Sequence, residues 1–333
     1  MKKVKMKNSM LRVLTLFTAL SVVFVSCDSE DDNMGPDSND NKGRANIGVT
    51  DAAVDAENVT GVYLRVQGVK VDGDDNANDH TVMFNAAQEI NLMAYQNGDV
   101  YDMASFDLNA GTYSDISFIL ADQESAFVKF TDNTTADIDL EGTVDNEYEI
   151  VGAFEIMANS TTDLVADIDL RKALHESSAS GEFMLRSTAR LVEVSATGTI
   201  EGSIENYNEL KSEMESEGTE TQVVVYAYMK GQFDEMERED PDGDGLQGRF
   251  ENSINSAVVQ EDGTFTLAFM NDADYEIAVG SYEKADDAPE DAPFLFGSLF
   301  NLSLASETTL GLFVDDIDVN ANTETNVNLK LDW

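Results

Sequence analysis

Val62-Tyr63-Leu64-Arg65-Val66-Gln67 sets an apolar side chain at every second position, with polar or amphipathic residues between them. That period of two belongs to a strand with one face in a core. Runs of the same kind recur at 112–120 (TYSDISFIL), 125–130 (SAFVKF), 135–140 (TADIDL), 148–157 (YEIVGAFEIM), 162–169 (TDLVADID) and 183–198 (FMLRSTARLVEVSATG). Turn formers separate them, at Asp72-Gly73, at Asn97-Gly98 and at 109–111. Many short strands with this punctuation predict a mainly β protein of the sandwich type. Helix is expected only in short pieces, at 86–95, 170–177 and 207–217 (YNELKSEMESE), where composition rather than a broad apolar stripe favours it.

A second block of strand-like runs begins near Thr197: 198–206 (GTIEGSIEN), 221–229 (TQVVVYAYM), 263–270 (GTFTLAFM), 274–282 (DYEIAVGSY) and 325–333 (TNVNLKLDW). In the last run Val327, Leu329, Leu331 and Trp333 alternate with Asn328, Lys330 and Asp332, which predicts a closing strand. A chain of this length is more than one core usually serves. The expected division is therefore a sandwich at 44–196 and a second at 197–333.

The chain starts differently. Lys2, Lys3, Lys5, Lys7 and Arg12 precede an apolar run from Val13 to Val25, followed by Ser26, Cys27 and the acidic stretch Asp28-Ser29-Glu30-Asp31-Asp32. A basic n-region, a short apolar h-region and a small residue describe an export signal over 1–26, and the run is short for a bilayer span. An uncleaved anchor helix and an ordinary secretory signal with an incidental cysteine are the alternatives. Residues 27–43, acid and turn formers with a single methionine, read as a flexible tether.

Taking away 1–26 removes five basic and no acidic residues, leaving 15 Lys plus Arg against 65 Asp plus Glu, a formal charge of -50. Such a chain repels nucleic acid and anionic lipid and attracts cations, so a DNA or RNA partner is excluded. A saline habitat accounts for the acidity equally well. Hydrophobic residues at 42% are still too many for a disordered chain. The one cysteine, Cys27, leaves no intramolecular disulfide, so packing, with or without a bound metal, must stabilise the fold.

Three resemblances add to this reading. Val25-Ser26-Cys27 resembles a bacterial lipobox, which implies acylation of Cys27 and a membrane held through that lipid. Ser29, Glu30, Asp31 and Asp32 resemble the serine-plus-acids export signal of Bacteroidetes lipoproteins, which implies an outer-membrane, cell-surface position; a solvated acidic tether is the alternative. In the first block IGVTDAAVDAENVTGVYLRVQGVKVDG, EINLMAYQNG, DLNAGTYSDISFIL and ADIDLRKALHESSASGEFMLRSTARLVEV occur in an order that resembles the Bacteroidetes lipoprotein family catalogued as domain of unknown function 4382, over about 45–195. That family implies architecture and location and no chemistry. Ala53 stands where a proline is common in it. The second block resembles the carboxypeptidase-regulatory-like, or transthyretin-like, sandwich: the opening strand at 198–204, the Asp262-Gly263-Thr264-Phe265 turn, the strand at 274–279 and the closing strand at 323–331. The resemblance implies an accessory module that is not itself catalytic.

The sharpest chemical motif is Asp240-Pro-Asp242-Gly-Asp244-Gly245-Leu246, closing at Glu251. Aspartates at loop positions 1, 3 and 5, a glycine at 6, a backbone carbonyl at 7 from Leu246 and a glutamate at 12 form an all-oxygen set with calcium spacing. Hard oxygen ligands favour calcium over zinc or copper. The flanking 221–229 and 252–260 stretches read as strand, so the expectation is a structural calcium loop inserted in a β domain; an exposed acidic turn is the alternative. Asp72, Asp74, Asp75, Asn76 and Asp79 lack the glycine and the closing glutamate and read as a hairpin turn. His80 and His175 lie far apart, outside any H-E-x-x-H pair, and are expected at the surface.

No G-x-S-x-G elbow, P-loop, dinucleotide fingerprint or C-x-x-C occurs. The sequence thus predicts a lipid-anchored envelope or surface protein without catalytic activity, binding or adhering to a glycan or protein through its loops. The alternatives are an assembly subunit of an outer-membrane uptake or fimbria-like complex and, more remotely, an extracellular hydrolase.

Overall fold

A computed structural model describes residues 41–51, 59–74, 79–122, 125–141, 146–177, 182–216, 218–239, 249–285 and 295–332. The export signal, Cys27 and the tether up to residue 40 lie outside the described residues. The first strand starts at Lys42, two residues inside the stretch read as tether.

The first block consists of β1 (Lys42–Asp51), β2 (Val59–Gly73), β3 (His80–Asn91), β4 (Tyr101–Asn109), β5 (Gly111–Leu120), β6 (Ala126–Phe130), β7 (Thr135–Glu141), β8 (Glu147–Ile156), β9 (Thr161–Ile168), β10 (Leu174–Ser177), β11 (Glu182–Arg186) and β12 (Arg190–Glu193). These twelve strands form one sheet in the order β10-β11-β7-β6-β2-β5-β8-β12-β9-β1-β4, with β3 on the other edge of β2. The long strand β2 organises it. Val62, Leu64 and Val66 are buried, and so are Val69 and Val71, on the opposite phase of the alternation. The slip occurs at the register shift between Val66 and Gly68, a bulge that keeps valines pointing into the core as β2 passes from β6 to β5. Gly68 is required there, because a Cβ would lie 2.6 Å from Val82 O.

The sheet curls back upon itself. His80 and Phe106 rings lie 5.9 Å apart, Gln88 Nε2 donates to Met103 O at 3.2 Å, and Tyr101 OH donates to Gln88 Oε1 at 2.9 Å, bridging β3 to β4 by side chains. Asp72, Asp74 and Asp79 flank the β2–β3 hairpin connection, as expected. The helix expected at 86–95 is instead the end of β3 and a single 3-10 turn at Leu92–Ala94, because pairing with β2 outweighs helix propensity. At 170–177 one helical turn, α1 (Leu170–Ala173), leads directly into β10.

The second block holds β13 (Thr197–Ile204), α2 (Tyr207–Ser216), β14 (Thr219–Met229), β15 (Asn255–Val258), β16 (Thr264–Asn271), β17 (Ala273–Ala285), β18 (Leu295–Leu299), β19 (Asn301–Leu304), β20 (Val314–Val319) and β21 (Glu324–Asp332). One sheet runs β16-β13-β21-β19; the other runs β15-β14-β17-β18, with β20 also on β17. Ile200, Phe265, Leu267, Leu329 and Leu331 of the first meet Val223, Val225, Tyr275, Ile277 and Val279 of the second in one core. This is a sandwich. The closing strand β21 returns parallel to the opening strand β13.

The Asp262-Gly263 turn falls where the sequence places it: Gly263 has φ +85°, Asp262 Oδ1 accepts from Thr264 N at 3.1 Å, and Phe265 then lies against Gly202. The unbroken apolar run of β14 is explained by burial on both faces. Val224, Tyr226 and Tyr228 point away from the sandwich core into a smaller cluster with Phe250, Ala278 and Tyr282.

The two blocks share one local device. Tyr113 OH donates to Asn109 O at 2.9 Å and Tyr275 OH donates to Asn271 O at 3.0 Å, each tying the third residue of a strand to the end of the strand before it. Both tyrosines are fully buried. These are tyrosine corners of the kind sandwich folds use.

Candidate functional site

The polar residues gathered most densely in the interior lie where β1 and β9 end. The two strands run parallel, with Thr50 beside Asp167 and Asp51 beside Ile168, so the aspartate after IGVT and the aspartates of ADIDL converge. Asp51, Asp167, Asp169 and Arg171 are each at most 8% exposed. Asp51 Oδ1 accepts from Leu170 N and its Oδ2 from Gln96 Nε2, both at 3.2 Å. Asp167 is held by Arg190 across the strand pair, 2.8 Å from Nε and 2.6 Å from Nη2. Asp169 caps α1 by accepting from Arg171 N, and meets the guanidinium twice, at 3.1 and 2.6 Å.

Arg171 joins this cluster to the second block. Its Nη1 donates to Ser253 Oγ at 2.7 Å and to Phe250 O at 3.4 Å, and its guanidinium carbon lies 5.5 Å from the centre of the Tyr226 ring. Lys172 Nζ donates to Ser253 O at 2.6 Å. Phe250 itself is fully buried, 4.2 Å from Tyr226, with a left-handed backbone of φ +59°. Its N–H donates to Glu237 O at 3.0 Å. That conformation is costly for a non-glycine residue and persists because the surroundings fix it. Residue 250 is also position 11 of the predicted calcium loop. Asp240, Asp242, Asp244 and Leu246 lie outside the described residues; Glu251 is exposed at the loop's exit and carries no ion pair among the described residues. Glu237 fixes the entrance side, accepting from Tyr228 OH at 3.1 Å and from Asn252 Nδ2 at 2.6 Å.

The electrostatics are those of a buried network. Burial pushes the Asp51 carboxyl well above the ordinary carboxylate range, against the Leu170 and Gln96 hydrogen bonds and aided by the charges of Asp169 and Asp167. Burial also raises Asp167, partly offset by Arg190. A carboxyl raised in the folded state stabilises fully below its unfolded value of about 4, and that stability is lost as pH rises through the folded value. Asp51→Asn keeps an oxygen for Leu170 N–H and removes the titration. The melting temperature of the variant relative to wild type is expected to rise as the pH climbs above about 4 and to level off once the folded value is passed; a difference independent of pH would refute the assignment.

His175 corrects the surface expectation: it is 1% exposed, on β10, with Nε2 3.0 Å from Lys172 O. His80 is exposed, as expected. Sequence reasoning passed over Asp51, Asp167, Asp169, Arg171 and Arg190 as site residues. The available signal was charge inside otherwise apolar runs, IGVTD and LVADIDLRKAL, in the segments the family resemblance had singled out.

Residues 42–187 match the model of the family described as Domain of unknown function (DUF4382), which agrees with the resemblance read from the first block. No curated protein matches the chain. Solved structures similar to it include the Bacillus anthracis TIE protein, at 10% identity and a TM-score of 0.18, over 87% of this chain and 34% of that one. A leucine-rich repeat protein from Bacteroides thetaiotaomicron matches at 12% identity and a TM-score of 0.20, over 86% of this chain and 26% of that one. BcpA, the major pilin subunit of Bacillus cereus, matches at 9% identity and a TM-score of 0.20, over 87% and 70%. The chain therefore spans about a third and about a quarter of the first two. Scores this low carry no argument about fold or function, and the fold stands on this chain's own sheets.

Proposed function

We propose that the chain is a lipid-anchored protein of the outer membrane, displayed at the cell surface, that binds or adheres to a glycan or protein partner without catalysis. The observation that carries this reading is the opening segment: basic residues, a short apolar run, then Cys27 followed at once by acid. Two sandwich domains, 44–196 and 197–333, would hold the binding loops away from the membrane, the second resembling the carboxypeptidase-regulatory-like module. Support for a non-catalytic role comes from the buried charges, which are spent on one another and on Ser253 and Phe250.

Asp240, Asp242, Asp244, the Leu246 carbonyl and Glu251 would hold a structural calcium ion. Glu237 and Phe250, fixed on either side of the loop, support that assignment by holding its two ends in place. Calcium at a hundred times its Kd adds about 2.7 kcal/mol of stability when only the folded chain binds it. Chelation is therefore expected to lower the melting temperature of the soluble ectodomain and to open the loop to protease. Unchanged melting and cleavage on chelation would rule the ion out.

One observation favours a second reading, an assembly subunit of an uptake or fimbria-like complex. Among the described residues β3 forms a backbone ladder only with β2, and on its other edge it meets β4 through the side chains of His80 and Gln88 and not through a ladder. An open edge accepts a strand from a partner. Pull-down through the lipid anchor separates the two readings: stoichiometric membrane partners for a subunit, none for a free adhesin.

A further inference from the structure

Large apolar side chains exposed at the surface are few among the described residues, and half of them fall on two segments that meet. Met229, Met236, Leu310 and Phe313 are 38–56% exposed, against four others dispersed elsewhere: Met83, Val151, Met157 and Leu295. The rings of Phe233 and Phe313 lie 5.3 Å apart, which brings the segment leaving β14 against the segment entering β20. Phe233 also rests edge-on against Tyr228 at 5.3 Å, so the patch has an aromatic floor fixed to the buried cluster. Clustered exposed apolar surface of this kind marks an interaction site more often than scattered residues do.

The rim is mainly acidic. Asp234, Glu235, Asp274, Asp315 and Asp316 are exposed around these segments. Of the exposed basic residues on these segments, Lys230 is tied to Asp316, and Arg238 follows Met236 by two positions. An apolar centre with an acidic rim complements a surface of the inverse pattern.

We infer that the Phe233–Phe313 patch is a docking surface for a protein segment that presents aliphatic or aromatic side chains flanked by lysine or arginine. The inference deepens the binding-module reading and rests on it. The patch seats the partner's apolar residues over the Phe233–Phe313 pair, and the acidic rim draws the basic flanks and sets the orientation. Because the whole chain is acidic, a polycation binds it anywhere, so the apolar contribution has to be measured separately.

The test uses the soluble ectodomain and two synthetic peptides of equal charge, one alternating leucine with lysine and one of lysine spaced by glycine. The leucine-lysine peptide is expected to bind about tenfold tighter, as a few well-seated apolar anchors give. Phe313→Ser with Met236→Ser is expected to abolish that margin while leaving the melting temperature unchanged. Asp315→Asn with Asp234→Asn is expected to flatten the salt dependence of binding. Equal binding of the two peptides would overturn the proposal, and so would a margin that survives the serine substitutions. Self-association of the ectodomain lost on the same substitutions would make a second copy the occupant, and binding to neutral phosphatidylcholine vesicles would make it a membrane; either result overturns the proposal. A failed peptide margin leaves the membrane fractionation of Cys27 variants intact, which keeps this inference distinguishable from the reading beneath it.

Discussion

Arg171→Met is expected to cost about 3–5 kcal/mol of folding stability, the range for breaking one partner out of a buried ion pair. The side chains of Arg171 and Asp169 are 6% and 10% exposed, so the substitution leaves a carboxylate in the interior with only Lys172, at 3.6 Å, to compensate it. It also strips Ser253 Oγ of the Arg171 donor, while Phe250 O keeps its bonds from Ser253 Oγ and Ser253 N. Against a typical total of about 5–15 kcal/mol, that loss is a large fraction. Asp169→Asn combined with Arg171→Met removes the orphaned charge while keeping an oxygen to cap α1, and should recover part of the loss. A denaturant titration of the wild type, both single variants and the double variant gives the coupling energy directly. If Arg171→Met unfolds at the wild-type midpoint, the pair is not what joins the two blocks.

Cys27→Ser has the other large expected effect, on location rather than stability. Acyl chains contribute about 0.8 kcal/mol per buried methylene, and stable anchoring takes more than one chain. With the acceptor sulfur gone, the exported protein should shift from the sedimenting envelope fraction to the soluble one, and incorporation of labelled fatty acid should vanish. Folding of the β blocks should be untouched, since residue 27 precedes the first strand at Lys42 by fifteen positions. Retention of the variant in the envelope would point to an uncleaved anchor instead.

Strand periodicity carried most of the architecture. Where one face is buried, as at Val62, Leu64 and Val66, alternation is legible in the residues themselves. Where both faces are exposed, as along β3, there is no apolar period to read, and the alanines at 86 and 87 suggest helix. β14 is the opposite case: burial on both faces erases alternation, and the run alone could not say that Tyr226 and Tyr228 turn toward Phe250. The buried ion cluster was out of reach for a different reason. Asp51 and Asp167 are more than a hundred positions apart, and the parallel pairing of β1 with β9 that brings them together is a property of topology, which local pattern does not encode. His175 reads as a surface residue because it stands near the end of the helix expected at 170–177; its burial follows from α1 stopping after one turn and leading straight into β10.

The claim that the chain is an anchored, surface-displayed binding module is tested most directly by treating intact cells with a protease that cannot cross the outer membrane. The account predicts that the wild-type protein is digested on whole cells, sediments with the outer membrane before digestion and leaves that fraction when Cys27 is replaced by serine. Full protection on intact cells, with digestion only after the outer membrane is opened, would contradict it.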